Sequence, residues 1–154
     1  MTLDQKPQEV DLPSVEHYMM LRKALLFNDI SIAKKILEVT GASSSDMAYV
    51  KQLGRKVQGF DEETWVEARE QIVLEGNILK FQQNDILREK LLSTAGKKLV
   101  EASPRDRIWG VGFGEKNVLR QKDRWGLNLL GKALERTRED IFAVTAIDAA
   151  ASME

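Results

Sequence analysis

"DEETWVEAREQIVLEGNILKFQQ", residues 61–83, decides the fold class. Asp61, Glu62 and Glu63 stand together at its start, where the positive end of a helix favours negative charge. Trp65, Arg69, Ile72, Gly76 and Leu79 then recur three and four apart, the spacing that lines one side of a helix. This is the longest periodic segment of the chain, and it predicts a mainly helical protein. Gly76 costs about 1 kcal/mol relative to alanine in a helix interior, which makes sense if another segment passes close to it.

Upstream, Pro13 precedes Ser14, a suitable N-cap for a helix through "VEHYMMLRKALLF", residues 15–27. Its apolar positions, Val15, Met19 and Leu26 with Tyr18, Leu21 and Leu25 beside them, form a wide strip, so the helix is apolar on most sides. "DISIAKKILEVTG", residues 29–41, reads as a second helix, started by Asp29 or Ser31 and ended by a left-handed turn at Gly41. Ser43, Ser44 and Ser45 form a capping cluster for a short third helix ending near "QLGRKVQGF", residues 52–60.

Downstream, Asn84 or Asp85 opens "DILREKLLST", which Gly96 closes, and "KKLVEAS", residues 97–103, fits one short strand or an extended connector. "WGLNLLGKALERTREDIFAV", residues 125–144, is the last long helix. The architecture expected is mainly α, a single compact helical domain over residues 13–140 with at most a short β element. A polar arm, residues 1–12, precedes it, and a helix end with a frayed alanine-rich tail, residues 141–154, follows.

Charged residues make up 31% of the 154, with a formal net charge of -1, so no global basic field favours non-specific nucleic-acid binding. The chain has no cysteine and one histidine, His17. That excludes disulfides, thiolate metal sites, a thiol nucleophile and any site built from several imidazoles. No run of about eighteen apolar residues exists, and "MTLDQKPQEV" lacks a signal-peptide core. The expectation is a soluble cytoplasmic protein with no membrane partner.

Chemistry concentrates in "DRIWGVGFG", residues 106–114. A carboxylate near a sugar can stabilise an oxocarbenium-like state or activate water, and Asp106 suits both roles. Trp109 can stack on a base or sugar and exclude water, while glycines such as Gly110 let backbone approach a ligand. The competing reading makes Asp106 a turn cap, Trp109 a core residue and the glycines loop formers. Glu16 shares a helical face with Met20, Lys23 and Phe27 and suits a general acid, although the helix dipole alone favours an acid there. His17 is a proton donor or a hydrogen-bonded boundary residue. Lys80, near the end of its helix, suits phosphate binding, covalent attack or simple solvation. Arg55, and Asn128 after Gly126, are phosphate-ligand candidates, the second group because a helix start offers free amides.

Taken together, "SVEHYMMLRKALLF", "LGRKVQGFD", Trp65, "KF" at 80–81, "LLSTAGKKLVEASPRDRIWGVG" and "WGLNLLGKAL" resemble, in order, the blocks of the YbiA-like or NADAR family. The resemblance covers residues 13 to 138. It implies a helical domain that hydrolyses the N-glycosidic bond of ribosylated phosphates, early riboflavin-pathway intermediates among them, without cofactor or metal. By matched position it makes Glu16, Asp106 and Lys80 catalytic and Trp65 and Trp109 pocket residues. The partner expected is a small molecule carrying ribose phosphate or ADP-ribose. The alternatives are an ADP-ribose-binding module without turnover and an ADP-ribosyl hydrolase acting on guanine, for which Arg120, Lys122 and Arg124 would grip phosphates. Two departures stand out. No Phe-Ser-Asn-Phe-like block precedes Glu16, which predicts a weaker hold on substrate, and Glu135 replaces an apolar residue common in relatives, as a solvent-facing substitution would.

Overall fold

Ser14 opens the first helix as the capping rule predicts, its hydroxyl accepting the His17 backbone N–H at 3.1 Å. The computed structural model describes residues 9–153. Its helices are α1 (Val15–Leu26), α2 (Ile30–Leu37), α3 (Ser44–Arg55), α4 (Glu62–Gln82), α5 (Asp85–Leu92) and α6 (Leu129–Ala151), with one turn of 3-10 helix at Lys122–Arg124. No strand occurs among the described residues, so the fold is mainly α and residues 97–103 form a connector. No helix among them is long and apolar enough to cross a membrane. The chain divides into two compact units, one ending at Asp61 and the other beginning at Glu62.

In the first unit α1 packs on both α2 and α3. Met20, Leu21, Ala24, Ile32, Ile36, Val50 and Leu53 are buried, Ile36 and Val50 completely. Burial of each such large aliphatic side chain contributes about 1.5–3 kcal/mol. Polar side chains fix the joints. Asp29 caps α2 through the Ile32 N–H and also accepts the Gln58 N–H at 2.9 Å, joining the start of α2 to the segment after α3. Ser43 and Asp46 form a reciprocal capping box at α3. The expected left-handed end at Gly41 is not found: α2 stops at Leu37, and the positive φ values lie at Asn28 (57°) and Gly59 (75°). Gly41 is needed for space instead, because a Cβ there would strike the Asp46 carboxylate that completes the α3 cap.

His17 belongs to these joints. It is fully buried, and its Nδ1 lies 2.6 Å from the Ser14 hydroxyl. Burial pushes its pKa below 6.5, against smaller opposing pulls from the Gly41 backbone and the Asp46 carboxylate. The imidazole is therefore held neutral, as a structural residue.

In the second unit α4 and α6 lie side by side, and α5 packs against both. Arg138 of α6 donates to the Thr94 carbonyl and hydroxyl at 2.7 and 2.9 Å, closing off the end of α5. Gly76 is buried within α4. The alanine-rich end stays helical to Ala151, as the high helix propensity of alanine allows.

The His17 arrangement yields a pH prediction. An unfolded histidine takes up a proton as pH falls below about 6.5, whereas the folded one resists to lower pH, so stability is full above 6.5 and declines as pH drops from there. The depressed carboxyls of Asp29 and Asp46, held down chiefly by the hydrogen bonds they accept, add a further loss below about 3.8. Urea midpoints at pH 8, 6 and 5 should decrease in that order. His17→Gln should lower the midpoint at pH 8 yet flatten its fall between pH 6.5 and 5. An equally steep fall in both proteins would show that another group governs this range.

Candidate functional site

The residues 106–110, "DRIWG", are stitched to the start of α6 rather than held in a sheet. The carbonyls of Arg107, Ile108, Trp109 and Gly110 accept N–H groups from Leu127, Leu129, Leu130 and Asn128 at 2.8–3.1 Å. Val111 donates to the Glu101 carbonyl and accepts from Gly126. The backbones come this close because the segment leading into α6 begins on a glycine. A Cβ on Gly126 would overlap the Arg107 backbone, and one on Gly110 would lie 2.8 Å from the Glu101 carbonyl and 2.9 Å from that of Asp106.

Asn128 is the centre of the assembly. It adopts a left-handed φ of 52° and is 3% exposed. Its Oδ1 accepts the Glu101 N–H at 3.0 Å and its Nδ2 donates to the Leu99 carbonyl at 2.9 Å. Glu135, about two turns further into α6, accepts the Leu99 N–H at 2.8 Å. Glu135 is thus not a solvent-facing substitution: its carboxylate takes up a backbone donor that the strandless connector leaves unpaired.

This geometry corrects the phosphate site expected at α6. Four consecutive amides, from Leu127 to Leu130, already donate to carbonyls, and both polar atoms of the Asn128 amide are engaged. The helix start is consumed by the fold and offers none of these groups to an anion. Gly126 and Gly110 likewise serve close backbone approach.

Asp106 is half-buried. Its Oδ1 accepts the N–H groups of Ile108 and Trp109, each at 2.9 Å. The turn-cap reading is therefore realised, but by one oxygen only. Oδ2 lies outside the clamp, and the carboxylate plane is fixed by two amides. Trp109, half-buried, follows directly from the same turn, so the acid and the indole are held by one set of bonds. Arg107 closes the loop from outside: its guanidinium donates to the Arg124 carbonyl at 2.7 Å and lies 5.9 Å from the centre of the Phe113 ring. Gly112, at φ 80°, leaves room for the Arg107 side chain. In the polar insert Trp125 donates to the Val118 carbonyl at 2.7 Å, and Arg120 donates to Asn117 at 2.6 Å.

Trp65 sits half-buried in the first turn of α4, and Lys80 is exposed in its last turn, the ammonium 5.6 Å from the centre of the Phe81 ring. Glu16 belongs to the first unit, half-buried in the first turn of α1, and Arg55 ends α3 in the same unit. Sequence reasoning passed over Glu135 and Leu99 as a pair. No periodic signal marks them, because the bond joins positions 36 apart.

The clamp is open to direct test. Asn128→Gly keeps the left-handed backbone but abandons the Leu99 carbonyl and the Glu101 N–H, which should cost about 1–3 kcal/mol in urea denaturation. Gly131→Ala should cost a similar amount, since its Cβ would collide with the Leu99 carbonyl and the Asn128 side chain. Unchanged midpoints in both variants would remove the clamp from the list of stabilising features.

A model of the NADAR domain matches residues 1–142 of the chain. The protein is 45% identical over 129 residues to "N-glycosidase R617" of Acanthamoeba polyphaga mimivirus, a match covering 82% of this chain and 73% of that protein. It is 31% identical over 129 residues to "Riboflavin biosynthesis protein VVA0006" of Vibrio vulnificus, covering 84% of this chain but 30% of that longer protein. The NMR structure of the E. coli protein YbiA is similar with a TM-score of 0.63 and 28% identity, over 86% of this chain and 68% of that one.

Proposed function

This chain belongs to the NADAR domain family, and on that footing we propose that it is an N-glycosidase acting on the C–N bond of ribosylated, phosphorylated nucleoside-like small molecules. The likeness to proteins named for N-glycosidase activity and riboflavin biosynthesis supports the reaction and the substrate class. The observation in the molecule itself that carries the reading is the clamped Asp106 carboxylate, with one oxygen bound by two amides and the other outside those bonds.

Cleavage of a ribosylamine breaks the C1–N bond, and the electron pair leaves with the nitrogen. Positive charge then spreads over C1 and the ring oxygen. A carboxylate whose orientation is set beforehand stabilises that charge without reorganising, the source of most electrostatic rate enhancement. Asp106 takes this role and receives a proton from the water that forms the new C1–O bond. The departing nitrogen takes up a proton, which balances the one that the attacking water gives up. The indole of Trp109, held by the same turn as Asp106, stacks on the sugar or base and displaces water. The products are ribose 5-phosphate and the free aminopyrimidine.

Asp106→Asn keeps an oxygen for the Ile108 and Trp109 amides while removing the charge. Incubated with a ribosylaminopyrimidine phosphate and followed by mass, it should release ribose 5-phosphate roughly 100- to 10,000-fold more slowly than wild type. Equal release by wild type and Asp106→Asn would end the assignment. Binding of ADP-ribose without any product over long incubation would favour a binding module instead.

A further inference from the structure

Two buried side-chain nitrogens among the described residues have no hydrogen-bond partner, Nε2 of His17 and Nε of Arg69. They differ in charge. His17 is held neutral by burial, so its unpaired nitrogen belongs to an uncharged ring. Arg69 has no such escape, because a guanidinium keeps its proton throughout the range in which proteins fold. A buried donor that belongs to an ion and meets no acceptor costs more than a neutral one, and native structures rarely keep such a group without a use for it.

The other shielded arginines show the contrast. Arg22, Arg69, Arg88 and Arg138 are the arginines that are half-buried or buried, and the rest are exposed. Arg22 donates to the Tyr18 hydroxyl at 2.6 Å, Arg88 to the Asp85 carboxylate at 2.8 Å and Arg138 to the Thr94 carbonyl at 2.7 Å. Arg69 alone of the four has no acceptor among the described residues. The sequence of α4 is the reason. The helix carries Glu62, Glu63, Glu67, Glu70 and Glu75, yet the positions three and four away from Arg69, where a carboxylate would pair with it, hold Trp65, Val66, Ile72 and Val73. Ile72 and Val73 are 4% and 2% exposed, so the next turn on this side is packed and apolar.

An anion meeting a cation in such surroundings is screened less than in water, and the attraction is stronger for it. Nε is sealed, but the two Nη atoms are not, which leaves the outer edge of the guanidinium open to an oxyanion. A phosphate fits that edge through two parallel N–H···O bonds, or the edge that includes Nε after a small rotation of the side chain. Trp65 lies one turn earlier on the same side of α4, about 6 Å along the axis. Its half-buried indole offers a flat surface for a sugar or base whose phosphate would then reach Arg69.

We propose that Arg69 is a substrate-binding residue whose guanidinium takes the phosphomonoester of the ribosyl substrate, the ligand supplying the acceptor that the fold withholds. The choice of ligand rests on the N-glycosidase reading, but the anion site can be tested apart from turnover.

Three measurements separate the claims. In the first, kcat/KM is compared on the ribosylaminopyrimidine phosphate and on its dephosphorylated form. Wild type should prefer the phosphate, and Arg69→Met should shrink that preference roughly 10- to 100-fold through KM, the loss expected for one charged hydrogen-bonding partner. Arg69→Lys should recover part of it. An unchanged preference, or a loss confined to kcat, would overturn the proposal. In the second, ribose 5-phosphate, inorganic phosphate, ribose and ADP-ribose are titrated calorimetrically into proteins shown to be folded by circular dichroism. Binding of ribose 5-phosphate but not ribose, weakened in Arg69→Met, supports the site even if wild type hydrolyses neither substrate, a result that would sink the N-glycosidase reading alone. No phosphate binding by wild type overturns the site, and Arg69-dependent binding of ADP-ribose without ribose 5-phosphate overturns the monoester. The third is stability without ligand. Arg69→Met removes an unpaired buried donor and should keep or raise the urea midpoint, whereas Arg138→Met, which abandons the Thr94 carbonyl, should lower it. A lowered midpoint in Arg69→Met with phosphate binding intact would make Arg69 a structural residue and overturn the proposal.

Discussion

The second unit depends on a backbone that has no sheet to pair with. Residues 97–111 run extended or turned, and every buried amide and carbonyl along such a segment needs a partner. The start of α6 supplies them. It has orphan donors of its own, and these meet the carbonyls of residues 107–110, while the Asn128 side chain and Glu135 reach back to Leu99 and Glu101. One helix terminus and one irregular loop therefore satisfy each other. The arrangement works only with hydrogen at the Cα of residues 126 and 131, where any side chain would enter the Arg107 or Leu99 backbone. Glycine here is a condition of contact between backbones, and its entropic cost on folding is offset by the hydrogen bonds it permits.

The helices were readable because their signals are local. Ser14, Asp29, Ser43 and Asn84 each cap the helix that follows through a bond spanning three residues, and such a bond leaves a trace in three or four letters. Gly41 misled because a glycine after a helical pattern has two uses, a left-handed turn or an uncrowded approach, and the letter is the same for both. What decided it was the Asp46 carboxylate five residues on, engaged in its own capping box. The phosphate site expected at α6 went wrong for a related reason. A helix start preceded by glycine and asparagine looks like an anion site unless one knows which other segment has already taken its amides, and that segment lies some twenty residues away.

The turn that carries Asp106 and Trp109 was readable to the same degree. The spacing of Asp106 and Trp109 stated that a carboxylate and an indole are held by one turn, and the structure has them so. It did not state that Arg107 braces the loop through the Arg124 carbonyl, nor that Lys23 lies over the Phe60 ring, since both depend on where distant segments cross. Long-range pairings of this kind carry no period. They become visible only once the glycines that permit the crossings, Gly54 in the first unit and Gly126 in the second, are seen against what they touch.

A polar residue that is fully consumed by the fold has nothing left for a substrate, and this criterion divides the candidates more sharply than residue type does. Asn128 gives both ends of its amide to the connector, and His17, one ring nitrogen against the Ser14 hydroxyl, is sealed from any substrate by complete burial. Asp106 differs. Its clamp uses one oxygen and two short-range amides, which removes rotational freedom from the carboxylate without occupying its second oxygen. Rigidity is obtained before substrate arrives, so charge developing at a sugar carbon would meet a group already oriented, and no part of the binding energy would go into freezing it. The glycine-rich backbone around Asp106 thus serves chemistry indirectly. By letting the loop lie flat against α6 it fixes the turn, the turn fixes the carboxylate, and the flexibility suggested by so many glycines is absent where it would do harm.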